Sequence, residues 1–327
     1  MHIRLENQVH QRPRFGYVGI RVADHVSDYS ILALHRSLSH SGVQRFRPPS
    51  ALETMIGKAL SRVGLRRNFW RRTSRILIVA LMGEQEYRLF PYGCYGECVF
   101  YCYDCWPNRY GWWEQLFVRY RTRTAFFSAR QAAVEFARRC PWMSSLWLPE
   151  ATDPTEYAPG VMLKDRNIHV LELGRRHELV HQQLEPYLRH KQYVHLYEPV
   201  KGQLVFPTQD ALKSGLSNSM ISVCFPCSMT HTERSGNAET ATHRFFESMA
   251  SKCLVVGHCP KELEDIFGYN PVVEMSAHNC VEEIQNIIEH IDEFQDLVDR
   301  NYSVLLDRGT WGARVANMLD ILERAYT

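Results

Sequence analysis

Apolar residues along this chain fall into two patterns: short unbroken runs, and longer stretches in which they recur every three to four positions. The longest unbroken run, Ile76–Met82, stops at Gly83 and predicts a strand buried on both faces. Residues 15–23, 98–103, 124–127 and 145–148 are further strand-sized segments. Ala51–Val63 has the helical period, with Leu52, Ile56, Ala59, Leu60 and Val63 on one face. Residues 129–139 read as a helix that Pro141 ends.

Residues 149–160 interrupt the pattern. Pro149, Pro154, Pro159 and Gly160 fall within twelve positions and mark a linker. Strand–helix alternation then restarts, with strands at 168–173, 193–196, 220–225, 253–257 and 271–274 and helices at 179–188 and 241–250. A single amphipathic helix is expected over 281–298, with Ile284, Ile287, Ile288, Ile291, Phe294 and Leu297 inward, and a last helix over 311–325. Such alternation implies parallel sheets covered on both faces. The expectation is α/β: two Rossmann-like lobes with a cleft between them. The boundaries are 1–150, 151–310 and a C-terminal helix, 311–327, packing back on the first lobe.

Composition narrows the class. With 327 residues, 45% of them hydrophobic, the chain can build two cored domains. No apolar run approaches the ~18 residues needed to cross a bilayer, and the first residues lack the apolar core of an export signal. A cytoplasmic protein with reduced thiols is expected. The charge is split: residues 1–150 hold 22 Lys and Arg against 11 Asp and Glu, while residues 151–327 hold 16 against 25. Arg62, Arg66, Arg67, Arg71, Arg72 and Arg75 crowd one short stretch, suited to an anionic membrane face or anionic substrate; a solvated helix face is the plainer account. Nucleic acid is not expected as a partner.

Ligands of parallel α/β lobes bind beyond the carboxyl ends of strands, and two such ends stand out. Gly174 permits close backbone approach, and Arg175 and Arg176 offer forked donors for phosphate. Further on, a polar loop containing Gly236 leads into a helix through Glu239, Thr240, Thr242, His243, Arg244 and Glu247, and a helix start favours an anion. On an ideal helix Glu239 and Glu247 lie roughly 80° apart and about 12 Å along the axis. With Glu239 in the entry loop instead, they can bracket one ligand. Glu247 has apolar neighbours, and a carboxylate buried there needs donors such as ribose hydroxyls.

Cys98, Cys102 and Cys105 formally match an iron–sulfur spacing, making an iron–sulfur enzyme a further possibility. In a strand, however, Cys98 and Cys102 share a face roughly 13 Å apart. Cys224 and Cys227 have dithiol spacing. The histidines form no His-Glu-x-x-His pattern. Trp106, Tyr110, Trp112 and Trp113 could stack an acceptor sugar or sit in a core.

Glu239 and Glu247, eight positions apart and followed by the strand at 253–257, resemble the Glu-x7-Glu arrangement of retaining GT-B glycosyltransferases. The segment 242–250, Thr-His-Arg-Phe-Phe-Glu-Ser-Met-Ala, is most similar to the spore-maturation-type branch of that group. The linker at 147–159, the Gly174-Arg175-Arg176 turn and Asp104-Cys105-Trp106-Pro107 extend the likeness through 98–325.

The resemblance implies sugar transfer from a nucleotide-sugar, with retention and without a metal or other cofactor. Residues 1–150 would be the acceptor side and 151–310 the donor side. Glu247 would hold the ribose and Glu239 would face the transferred sugar. Arg175 or Arg176, Gly174, Arg244 and the helix start at Thr240–Thr242 would take the diphosphate. Asp104 is the counterpart of an aspartate in that branch, and an inverting reaction would need Asp104, Glu97 or Asp24 as base. The acceptor could be anionic or lipid-linked, with the arginines from Arg62 to Arg75 at a membrane. Two departures stand out: Val180 and His181 occupy the region where the family carries a lysine, and Lys252 replaces a glycine. They motivate the alternative of a non-catalytic nucleotide- or glycan-binding protein on the same fold.

Overall fold

The computed structural model describes residues 15–20, 28–63, 75–200 and 202–326. Asp24, Arg66, Arg67, Arg71 and Arg72 lie outside them. The first lobe holds strands β1 (Phe15–Val18), β2 (Gln44–Phe46), β3 (Ile76–Met82), β4 (Glu97–Tyr103), β5 (Thr124–Phe127) and β6 (Ser144–Trp147). They form one parallel sheet in the order β2-β1-β3-β4-β5-β6. The second lobe holds β7 (Ile168–Glu172), β8 (His195–Tyr197), β9 (Ser219–Cys224), β10 (Leu254–Gly257) and β11 (Val273–Glu274), parallel in the order β11-β10-β9-β7-β8.

The apolar runs are explained by burial on both faces of each sheet. On β3 and β4, Leu77, Val79, Leu81, Cys98, Phe100 and Cys102 face one core. Ile76, Ile78, Ala80, Val99, Tyr101 and Tyr103 face the other. This two-residue alternation disposes of the iron–sulfur reading. Cys98 and Cys102 are packing groups on an extended strand, and burial, then Glu97 and Cys94, push the Cys98 thiol up to about 12. The three thiols of Cys98, Cys102 and Cys105 do not all come within ligand distance of one another. The thiols of Cys224 and Cys227 are free, and burial raises that of Cys224.

The final helix, Trp311–Tyr326, belongs to the first lobe's packing. Trp311, Val315, Met318, Leu319 and Leu322 join the core around Tyr17, Ile31 and Leu34. Its entry runs beside the linker: Thr152 N–H donates to the Gly309 carbonyl (3.1 Å) and Trp311 N–H to the Thr152 carbonyl (3.0 Å).

Three expectations are refined, and one departure gains a backbone reason. The stretch 281–298 is not one helix but Cys280–Glu289, a short turn and Gln295–Arg308, a bend that keeps Ile284, Ile287, Ile291 and Val298 against the same core. Trp106, Tyr110 and Trp113 are buried packing residues, leaving only Trp112 half-buried. The apolar stripe of Ala51–Val63 is in part exposed, Leu52 at 61%. Lys252 has φ 54°, the left-handed conformation that favours glycine; its Nζ donates to Asp299 at 2.7 Å.

Candidate functional site

In the second sheet the chain starts at β7, adds β8 on one side, then crosses to β9 on the other. Strand order reverses between β7 and β9, which is where parallel sheets open a crevice at their carboxyl ends. The turn after β7 (Leu173, Gly174, Arg175) and Phe225 after β9 border that crevice. Gly174 makes the turn with φ +71°.

Arg244, on the helix His243–Ala250, spans the crevice. Its Nη1 donates to the carbonyls of Leu173 (2.7 Å) and Arg175 (3.0 Å), and its Nη2 reaches the Phe225 carbonyl at 3.5 Å. Burial, then the like charge of Arg175, lowers its pKa to about 10, so it stays a cation at neutral pH. Those hydrogen bonds all go to carbonyls, and among the described residues no carboxylate forms an ion pair with it. A cation held this way is a suitable partner for an anionic ligand.

Above it lies a cavity of about 370 Å³ between the lobes. The first lobe contributes Met82 and Asp104, and the start of the linker contributes Glu150. The second contributes Gly174, Arg175, Arg234, Thr242, His243, Arg244 and Glu247, with Leu204, Val205 and Phe206 forming an apolar wall. The Oγ1 of Thr242 is buried without a hydrogen-bond partner, a donor for a guest.

The carboxylates are arranged in sequence. Glu247 Oε1 accepts from the Tyr157 hydroxyl at 2.7 Å, and its Oε2 is 3.5 Å from His243 Nε2. Burial, then Glu247, raises the Tyr157 pKa. Glu150 Oε2 accepts from the His243 backbone N–H and lies 3.2 Å from His243 Nδ1. Burial works against the imidazolium, but Glu247 and Glu150 outweigh it and raise the His243 pKa. Asp104 has φ 48° and lies 3.6 Å from Arg234. About a third of its side chain is exposed, and it lines the cavity between the lobes. Burial there raises its pKa despite Arg175 and Arg234.

The cavity thus brings together Asp104, Gly174, Arg175, Thr242, Arg244 and Glu247. It does not bring in Glu239, whose carboxylate lies 3.1 Å from His258 Nε2 on the loop after β10. Thr240 is turned away: its hydroxyl donates to Glu262 Oε2 (2.9 Å), which also accepts from Ala241 N–H. Glu262 in addition takes the N–H of Arg130, tying the first lobe to this loop. Arg176 donates to the Glu198 carbonyl at 2.8 Å, outside the cavity. Glu97 pairs with Arg123 at 2.6 Å at the amino end of β4, far from the carboxyl-end cleft, so the structure removes it as a base.

Sequence reading assigned no role to Glu150, Tyr157, Arg234 or His243. Glu150 and Tyr157 sit in the proline-rich linker, and no local pattern marks them. His243 adjoins Arg244; its contact with Glu247 is an i,i+4 pair on one helix that spacing could have signalled, whereas its contact with Glu150 exists only in the folded chain.

Residues 176–320 match the model of a family described as glycosyl transferase-like. No curated protein matches the sequence significantly. Among solved structures, sucrose-phosphate synthase from Thermosynechococcus elongatus is similar over 96% of this chain and 99% of its own, at 11% identity and a TM-score of 0.60. A glycosyltransferase involved in avilamycin A biosynthesis is similar over 96% and 98%, at 12% identity and 0.59. Anabaena HepE in complex with UDP and glucose is similar over 95% and 99%, at 8% identity and 0.55. The fold is the two-lobed α/β architecture of GT-B glycosyltransferases.

Proposed function

We propose that this protein is a glycosyltransferase that takes a nucleotide-sugar into the cavity between its lobes and passes the sugar to an acceptor. The carrying observation is Arg244, a buried cation at the β7/β9 reversal point whose hydrogen bonds go to carbonyls alone. Support comes from the family match and from neighbours such as HepE, solved with UDP and with UDP-glucose.

In this reading Arg244 and Arg175 take the diphosphate with the Thr242 hydroxyl, and Glu247 takes the ribose hydroxyls on its Oε2 side. The base lies along Leu204, Val205 and Phe206. The departing diphosphate is stabilised by guanidinium groups rather than by a bound cation. The acceptor O–H attacks the anomeric carbon as its bond to the diphosphate breaks, and a diphosphate oxygen takes the proton. Retention then requires no protein base. Asp104, on the first-lobe side, faces the acceptor. The acceptor is anionic or lipid-linked, drawn by the arginines of the first lobe.

A non-catalytic nucleotide- or glycan-binding protein is the second reading. It is favoured by Glu239, which lies against His258 instead of the cavity. A panel of nucleotide-sugars tested for binding and for slow hydrolysis, without added Mg2+ or Mn2+, separates the two. Tight binding with release of free sugar supports the transferase. Binding with no hydrolysis of any donor supports the second reading, and no binding at all sinks the transferase and the nucleotide-binding form of the second reading.

A further inference from the structure

Beside the cavity, on the face of the second sheet covered by the helix Glu178–His190, three ionisable side chains meet in the interior. Glu172 ends β7, His195 begins β8, and His181 lies on the helix. Glu172 Oε1 is 2.8 Å from His181 Nδ1 and 2.8 Å from His195 Nε2. One nitrogen or oxygen from each lies within 4.8 Å of the other two; among the described residues, no other group of three His, Cys, Asp or Glu side chains does this. The side chains are 1%, 10% and 6% exposed for Glu172, His181 and His195. The second oxygen, Glu172 Oε2, is buried with no hydrogen-bond partner.

The simpler account has two imidazole N–H groups donating to one carboxylate oxygen. It leaves Oε2 orphaned in the interior, a cost of about 1–3 kcal/mol. A metal ion removes that difficulty. Two imidazole nitrogens and a carboxylate are a common zinc ligand set, bound at roughly 2.0–2.2 Å. Ligand atoms around such an ion stand about 3–3.5 Å apart; each imidazole nitrogen, now 2.8 Å from Oε1, needs to draw back from it by only a few tenths of an ångström, and the two nitrogens already lie within 4.8 Å of each other.

We propose that Glu172, His181 and His195 form a structural site for one first-row divalent transition-metal ion, zinc above all, with Glu172 Oε2 able to complete four-coordination. Each imidazole coordinates through the nitrogen that faces Glu172 and carries its proton on the other. The ligand set disfavours magnesium and calcium, which prefer oxygen. The ion joins β7, the edge strand β8 and the helix between them. Leu173, Gly174 and Arg175 follow Glu172 directly, and Glu198 lies three residues past His195; all four line the cavity. The ion therefore steadies two loops of the cavity wall and takes no part in chemistry there. The inference does not depend on what the cavity binds. It also accounts for His181, which stands in the region of the family's lysine but turns away from the cavity.

The test uses the whole chain purified without a polyhistidine tag. Elemental analysis should find close to one equivalent of zinc. After removal of metal with chelator, titration with Zn2+ or Co2+ should restore one equivalent, and Co2+ should give visible d–d absorption. At a hundredfold excess over Kd, Zn2+ should raise Tm by roughly 3–6 °C, and Mg2+ should not. His181→Gln and His195→Gln should each lose the bound equivalent and the Tm response. Should either variant fail to fold, the response of the wild-type chain to stripping and refilling decides. A protein that binds neither Zn2+ nor Co2+, or whose Tm ignores both, carries only a hydrogen-bonded cluster. Undiminished zinc binding in a variant carrying both His181→Gln and His195→Gln places the ion elsewhere and overturns the proposal.

Discussion

The carboxylate of Glu150, at the start of the linker, accepts the backbone N–H of His243 at 3.1 Å and lies 3.2 Å from its Nδ1, across 93 residues of chain. The protein thus places an anion of its own at the start of the helix His243–Ala250. The same imidazole approaches Glu247 with its other nitrogen. His243 therefore links the linker to the carboxylate proposed to hold the ribose.

A pH dependence follows. The raised pKa of His243 means its contribution is fully present below its unfolded-state value of about 6.5 and is lost as pH rises through the higher folded-state value. Wild type should exceed His243→Gln in Tm by roughly 2–5 °C near pH 6, the scale of a charged hydrogen bond. The gap should narrow as pH climbs above neutrality. Parallel Tm curves for the two proteins across that range would remove the charged imidazole from the account.

Glu247→Ala should weaken binding of the preferred nucleotide by about 1–3 kcal/mol, the worth of a lost charged hydrogen bond. Tyr157→Phe, which frees Glu247 Oε1, should weaken it less. Calorimetry showing unchanged affinity in Glu247→Ala would dissociate this carboxylate from the ribose.

Arg244→Met should reduce affinity for the nucleoside diphosphate by about 10–150-fold, matching 1.5–3 kcal/mol. Binding of the bare nucleoside should change little. Arg244→Lys should recover only part of the loss, because an ammonium cannot span the carbonyls of Leu173, Arg175 and Phe225 as the fork does. An equal loss for nucleoside and diphosphate would point to collapse of the crevice rather than to a lost anion contact.

The arginine-dense stretch makes a separate prediction, resting on charge alone because Arg66, Arg67, Arg71 and Arg72 lie outside the described residues. Arg62, which is described, is exposed. No described helix is long and apolar enough to cross a membrane, so contact would be peripheral, worth about 1 kcal/mol per basic residue near an anionic surface. Sedimentation with anionic vesicles should be salt-sensitive and weakened when those four arginines become Gln. Equal, negligible binding to anionic and neutral vesicles at low salt would leave the patch for a soluble anionic acceptor.

Periodicity and punctuation carried the architecture. The run Ile76–Met82, the prolines of 149–160 and Gly174 at a strand end each report a local backbone requirement, and local requirements are written in adjacent residues. Gly174, Arg244 and Glu247 were legible for the same reason, as part of strand–turn and loop–helix patterns. Tertiary structure alone decided which side chains meet. Glu239 and Glu247 are eight positions apart, yet one lies against His258 and the other against Tyr157. Glu150 comes from the linker and His243 from a helix 93 residues later, and Glu172, His181 and His195 from two strands and a helix. Such contacts depend on sheet order and on how the lobes close, which fix distances between residues far apart in sequence, and no local pattern encodes those distances.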